Sequence, residues 1–94
     1  MRSRLAVLLA KHGDAAAAKA ELAVLEKVLQ PTAETLQHVA MAWEILGVRK
    51  RALKSLGEAV RAGYPRTEIE RDPEFALLRQ DPQYQMLAMR EEEK

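Results

Sequence analysis

There is no cysteine in the 94 residues. That excludes disulfides, thiolate nucleophiles, iron–sulfur clusters and cysteine-type zinc sites. Net charge is nearly absent as well, with fifteen basic residues against fourteen acidic ones, or +1 overall. A nucleic-acid or membrane partner gains no general support from that balance. The four glycines are isolated from one another, so no Gly-rich phosphate loop can form. No stretch approaches the roughly 18 apolar residues of a membrane span. The start, Met1-Arg2-Ser3-Arg4 and then Leu5 to Ala10, has a faint secretory look. Its apolar run breaks off after six residues, at Lys11 and His12, short of the roughly 7–15 that a signal segment needs. A cytoplasmic location is therefore the default expectation.

The composition is 48% hydrophobic and 31% charged, which fits neither a disordered nor a membranous chain. The length allows one domain, with about two thirds of its surface buried on folding. That leaves room for a modest core and not for a deep active-site cleft.

Offset by 34 positions, the chain matches itself. Ala6 falls on Ala40, Leu9 on Trp43, Gly13 on Gly47, Ala18 on Ala52, Leu22 on Leu56 and Pro31 on Pro65. No short helical period forces a glycine and a proline to recur together at that distance, so one supersecondary unit is used twice. Each unit reads as two antiparallel helices. In the first, a helix over about Arg2 to Lys11 stops at Gly13, where a left-handed residue wants no side chain. Asp14 can cap a second helix, over Ala15 to Gln30, whose inward stripe is Ala18, Leu22, Leu25 and Leu29. In the second, Thr32 can cap a helix over Ala33 to Leu46, with Leu36, Val39, Ala40, Trp43 and Leu46 inward. After Gly47 a helix over Arg49 to Ala62 buries Ala52, Leu53, Leu56, Ala59 and Val60, and Gly63 and Pro65 end it. Short side chains at the alanine positions let helices cross closely.

The tail departs from this plan. Thr67 and Glu70 have capping-box spacing. Asp72-Pro73-Glu74-Phe75-Ala76-Leu77-Leu78 then recurs nine residues on, as Asp81-Pro82-Gln83-Tyr84-Gln85-Met86-Leu87. Aspartate suits an N-cap and proline the first helical position. Two short helices follow, whose aromatic and leucine pairs cover the open end of the stack, as terminal units of repeat proteins must.

Residues 1 to 65 resemble a tetratricopeptide repeat protein. Gly47 stands at that family's turn glycine, Ala52 and Ala59 at its second-helix alanines, and Leu56 at the large position between them. Val39 and Ala40 stand where the family has Leu-Gly, Trp43 at its late aromatic, and Leu36 where it usually has tryptophan. The first unit matches through Leu5, Ala6, Leu9, Gly13, Ala18, Leu22 and Leu25, and the double Asp-Pro tail is similar to endings in bacterial members. The resemblance implies an all-α fold, antiparallel helical hairpins stacked as a short α-solenoid with short C-terminal capping helices. Its expected limits are a single domain over 1–90, with repeat one at about 1–32, repeat two at about 33–66, caps at about 67–90, and a frayed charged tail over 91–94.

The family usually binds peptides or proteins on the face lined by first helices. Carried onto this chain, that groove comprises Val7, Lys11, Glu34, Gln37, Met41, Glu44 and Ile45, with Ser3 and Ala10 beside them. Gln37 and Met41 replace residues that a carboxylate-gripping subfamily needs, which argues against a C-terminal carboxylate clamp. The expected function is a protein-interaction or assembly module with no catalytic activity of its own. The alternatives are a self-associating homo-oligomer, or a binder of an acidic partner or RNA through the basic cluster Arg49, Lys50, Arg51 and Lys54, extended by Arg61 and Arg66. Positive charge at a helix start opposes the dipole, and such a broken rule can mark function.

No catalytic, cofactor or metal site is expected. His12 and His38 are inequivalent in the register, and Glu34 four residues before His38 does not fill a zinc shell. Asp72, Glu74, Asp81 and Glu91-Glu92-Glu93 lack the ligand spacing of a calcium loop. Ser3 and Ser55 have no nucleophile-elbow context.

Overall fold

The computed structural model describes residues 2–27 and 30–86. The helices bounded within the described residues are α1 (Arg2–Lys11), α2 (Ala15–Leu25), α3 (Ala33–Ile45), α4 (Arg49–Arg61), α5 (Arg66–Arg71) and α6 (Ala76–Arg79). A 3₁₀ turn, Pro73–Phe75, precedes α6, and residues 82–86 are helical again. The described residues contain no strand, so the class is all-α. None of the described helices is long and apolar enough to cross a membrane. The expected inward Leu29, Leu87 and the charged segment 91–94 lie outside the described residues.

Glycine closes three of the helices by the same device. At the end of α1 the Gly13 N–H donates to Ala10 O at 3.1 Å and the Asp14 N–H to Leu9 O at 3.0 Å. Thirty-four residues on, the Gly47 N–H donates to Glu44 O at 3.0 Å and the Val48 N–H to Trp43 O at 2.9 Å. Gly63 and Tyr64 do the same for α4 with Val60 and Ala59. These paired bonds form the Schellman motif, which satisfies carbonyls that the helix end would orphan. It places the glycine in the left-handed region, and φ is +82° at Gly13 and +83° at Gly47.

The next helix starts immediately. Asp14 Oδ1 accepts from the Ala17 N–H and Thr32 Oγ1 from the Thr35 N–H, both at 3.1 Å. α4 has no such cap, since Val48 stands at its N-cap position. α2 stops at Leu25, five residues earlier than expected, and Glu26 and Lys27 form a turn. Pro31 lacks the N–H that would bond Lys27 O and disfavours a helical Gln30. The Thr67 capping box does not form either. Tyr64 leaves the α4 cap and Pro65 is extended (ψ 129°), so α5 starts at Arg66 and Thr67 lies inside its first turn.

Helix α1 packs on α2 and on α3, and α3 packs on α4. The 34-residue register holds in the core. Ala6 and Ala40 are both fully buried, as are Ala18 and Ala52, while Leu22 and Leu56 are 0% and 1% exposed. Each such leucine contributes about 1.5–3 kcal/mol by leaving water. The alanines contribute by shortness, because a longer side chain there would hold the helices apart.

Two arginines fasten the tail. Arg79 Nη1 donates to the carbonyls of Ile69 and Asp72, 2.7 Å each, which satisfies the end of α5. Arg49 Nη1 donates to Asp81 Oδ2 at 3.1 Å, while Asp81 Oδ1 accepts the Gln83 N–H at 2.9 Å. Asp72 caps the 3₁₀ turn in the same way, through the Glu74 N–H at 3.0 Å. Ile69, Phe75 and Leu78 become fully buried in the same cluster as Val7, Met41 and Leu56.

The left-handed turns carry a stability prediction. A Cβ at Gly13 or Gly47 would meet nothing within 4 Å, so the cost of a side chain is purely conformational. Gly13→Ala and Gly47→Ala should each destabilise by about 1–2 kcal/mol. Gly47→Asn should cost less, since asparagine tolerates the left-handed region. Urea unfolding midpoints check both statements.

Candidate functional site

The structure closes the groove expected from the first helices. Val7, Gln37 and Met41 are 6%, 6% and 8% exposed, and Ser3 and Ala10 beside them are also buried. The packing of α1 on α3 and the tail are the causes. The 3₁₀ turn packs on α3, Phe75 joins the core of Val7 and Met41, and Lys11 Nζ reaches Glu74 Oε1 at 3.0 Å from the end of α1. Ile45 is half-buried against that core. The Glu44 side chain, 9% exposed, accepts from Arg49. Of the seven expected groove residues, only Lys11 and Glu34 are exposed. The correction is physical: the capping tail occupies the face that a partner was expected to use.

The basic cluster is divided. Arg49 grips Glu44 through Nε at 2.7 Å and Nη2 at 2.8 Å and reaches Asp81 as well. Hydrogen bonding to Glu44, the main cause, holds its pKa above the ordinary arginine value. Arg51 donates to Glu26 Oε1 at 3.1 Å and lies over the Trp43 ring, 5.0 Å from its centroid. Both arginines thus serve the fold, which explains their unfavourable place at a helix start. Lys50 and Lys54 are exposed and have no ion-pair partner among the described residues. Arg61, four and seven residues beyond Gly57 and Lys54 along the same face, is likewise exposed and unpaired there.

These cations border two grooves. A wider one, about 770 Å³, runs between α2, α3 and α4, with Leu25, Leu36, Val39 and Trp43 in its lining and Lys50, Arg51 and Lys54 on one bank. Glu26 and Glu58 also line it, so its charge is mixed. The second, about 390 Å³, lies between α4 and residues 82–86. Among the described residues its lining is Lys50, Leu53, Lys54, Gly57, Arg61, Gln83 and Met86, none of them acidic. Met86 is 57% exposed there. The sequence carried the signal for this ridge in the spacing of Lys50, Lys54 and Arg61. It carried none for Met86 as the opposite wall, which depends on where the tail lands.

Among the described residues no three His, Asp or Glu side chains converge on a possible metal position. Ser3 Oγ lies 3.0 Å from His38 Nδ1, a spacing seen in activated hydroxyls. Ser3 is 2% exposed, however, and a hydroxyl sealed between α1 and α3 meets no substrate. The contact ties the two hairpins together. Burial, with Arg4 as a smaller cause, holds the His38 pKa below the ordinary imidazole value, against an opposing pull from Glu34. Gln37 Oε1 and the Tyr84 hydroxyl are buried without a hydrogen-bond partner among the described residues.

No known protein family, characterised protein or solved structure matches this chain.

Two outcomes are expected. The folded state resists protonating His38, so below about pH 6.5 the unfolded chain binds more protons and stability falls with pH. His38→Gln should flatten the decline between about pH 7 and 5, read from chemical denaturation at each pH. An equal slope in both proteins would refute the assignment. Gln37→Met removes a buried oxygen that lacks a partner and should stabilise by up to about 1 kcal/mol, read as a raised melting midpoint.

Proposed function

We propose that the chain is a protein-interaction or assembly module of tetratricopeptide type, a short α-solenoid with a helical cap, and that it holds an acidic segment of a partner protein along α4. The repeat reading is supported by the paired glycine turns and by burial at Ala6/Ala40, Ala18/Ala52 and Leu22/Leu56. The binding reading rests on one observation: Lys50 and Lys54, exposed and unpaired, each border both grooves. Acidic side chains of the partner meet Lys50, Lys54 and Arg61. An apolar side chain meets Leu53, Gly57 and Met86, where methionine adapts to the shape presented. A helix offering both kinds of residue at three- and four-residue spacing fits that strip. The face differs from the one most members of the family use, because here the tail covers the first helices.

A peptide-display selection against the immobilised chain tests this. Enriched peptides should carry Asp or Glu with apolar residues at helical spacing. Their binding should weaken about tenfold or more in Lys50→Glu/Lys54→Glu and fall as salt rises. Enriched peptides indifferent to that double variant overturn the proposal. So does tight binding of random-sequence RNA in the absence of any selected peptide.

A further inference from the structure

At one end the wider groove is bounded by a single ion pair. Beyond it lies a smaller cavity of about 500 Å³, lined by Lys19, Ala23, Glu26, Trp43, Val48 and Arg51. Glu26, Trp43 and Arg51 border both spaces. Arg51 bridges them, since its Nη1 donates to Glu26 Oε1 at 3.1 Å and its guanidinium lies over the Trp43 ring. Each member of the pair stands at the wrong end of a helix for its charge. Glu26 follows the last residue of α2, and Arg51 lies in the first turn of α4, so each opposes its own helix dipole. The tie is also loose beside its neighbour. Arg49 holds Glu44 through two bonds, of 2.7 and 2.8 Å, and the Glu44 side chain is 9% exposed. Arg51 holds Glu26 through one longer bond, and the two side chains are 57% and 47% exposed. A pair so open to water contributes about 0–1 kcal/mol.

We infer that Glu26 is a built-in competitor of the partner: in the free chain its carboxylate occupies the place on Arg51 that an acidic residue of the bound segment takes over. The inference rests on the α4 reading above and adds Arg51 to Lys50 and Lys54 as a specificity-determining cation. Charge favours the exchange. Lys19, Lys50 and Lys54 line the same two spaces, exposed and without an ion-pair partner among the described residues. Glu58, the other acid in the described lining, is seven residues past Arg51, about 10 Å along α4. Releasing Glu26 to water leaves no buried charge behind. An incoming carboxylate can take two guanidinium donors side by side, where Glu26 takes one. With the bridge open, the two spaces join beside Trp43. An apolar neighbour of the partner's acid then fits against Ala23, Trp43 and Val48.

Calorimetric titration with a synthetic helix bearing glutamate and leucine at three- and four-residue spacing tests this. Glu26→Gln, at an exposed position, should bind that peptide about two- to fivefold more tightly than the parent. Glu58→Gln should gain less. In an Arg51→Gln background the gain from Glu26→Gln should vanish, since only the coupled pair carries it. All variants should keep the far-ultraviolet dichroism of the parent. A gain equal in Glu26→Gln and Glu58→Gln, or one that survives without Arg51, reports only the loss of an acidic charge and overturns the exchange. A peptide lost in Lys50→Glu/Lys54→Glu yet indifferent to Glu26→Gln overturns the exchange and leaves the α4 reading standing. A peptide that the parent does not bind, or that ignores Lys50 and Lys54, overturns both.

Discussion

Arg49 joins three parts of the molecule through one planar group. Its Nε and Nη2 hold Glu44 at the end of α3, and its Nη1 holds Asp81 in the tail. Guanidinium suits this position, because its donors are fixed in a fork and it keeps its charge when partly buried. Asp81 in turn caps the next helical segment, so the bond that locates the tail also starts its last described helix. Where the tail lies decides which surface remains open. With Phe75 set against the core of Val7 and Met41, the face of the first helices is interior, and the α4 face becomes the accessible one.

Much of the framework was legible in the sequence, for local reasons. The bounds of α1 and the start of α4 follow from Gly13, Gly47 and the runs between them. Asp14, Thr32, Asp72 and Asp81 cap through bonds to residues two or three positions away. Such interactions need nothing beyond their own segment, so spacing reveals them. The inward alanines were legible because each recurs at its register position. The end of α2 and the start of α5 were less so, since both depend on how a proline redirects the chain after a helix has closed.

The face that the tail covers was not legible, because its causes are distant in sequence. Arg49 and Asp81 are 32 residues apart, and Ser3 and His38 are 35. A run of basic residues at a helix start looks like a surface feature until its partners are known. Arg49 and Arg51 turn out to be ties within the fold, whereas Lys50 and Lys54, which share a bank of the wider groove with Arg51, have no ion-pair partner among the described residues. A single amphipathic helix therefore divides four neighbouring cations into two that stabilise and two that remain available. Gln37 shows the reverse. As an exposed groove residue it would be unremarked, whereas buried it leaves an oxygen without a donor.

Trp43 is the one tryptophan of the chain. It is 7% exposed, lies in the wall between α2 and α4, and has the Arg51 guanidinium over its ring. Indole emission is sensitive to a nearby cation and to water. Anything that draws Arg51 aside or enters the wider groove will change its wavelength and yield. The molecule thus contains an intrinsic optical probe at the junction of its two hairpins, with no second fluorophore of that kind to obscure it.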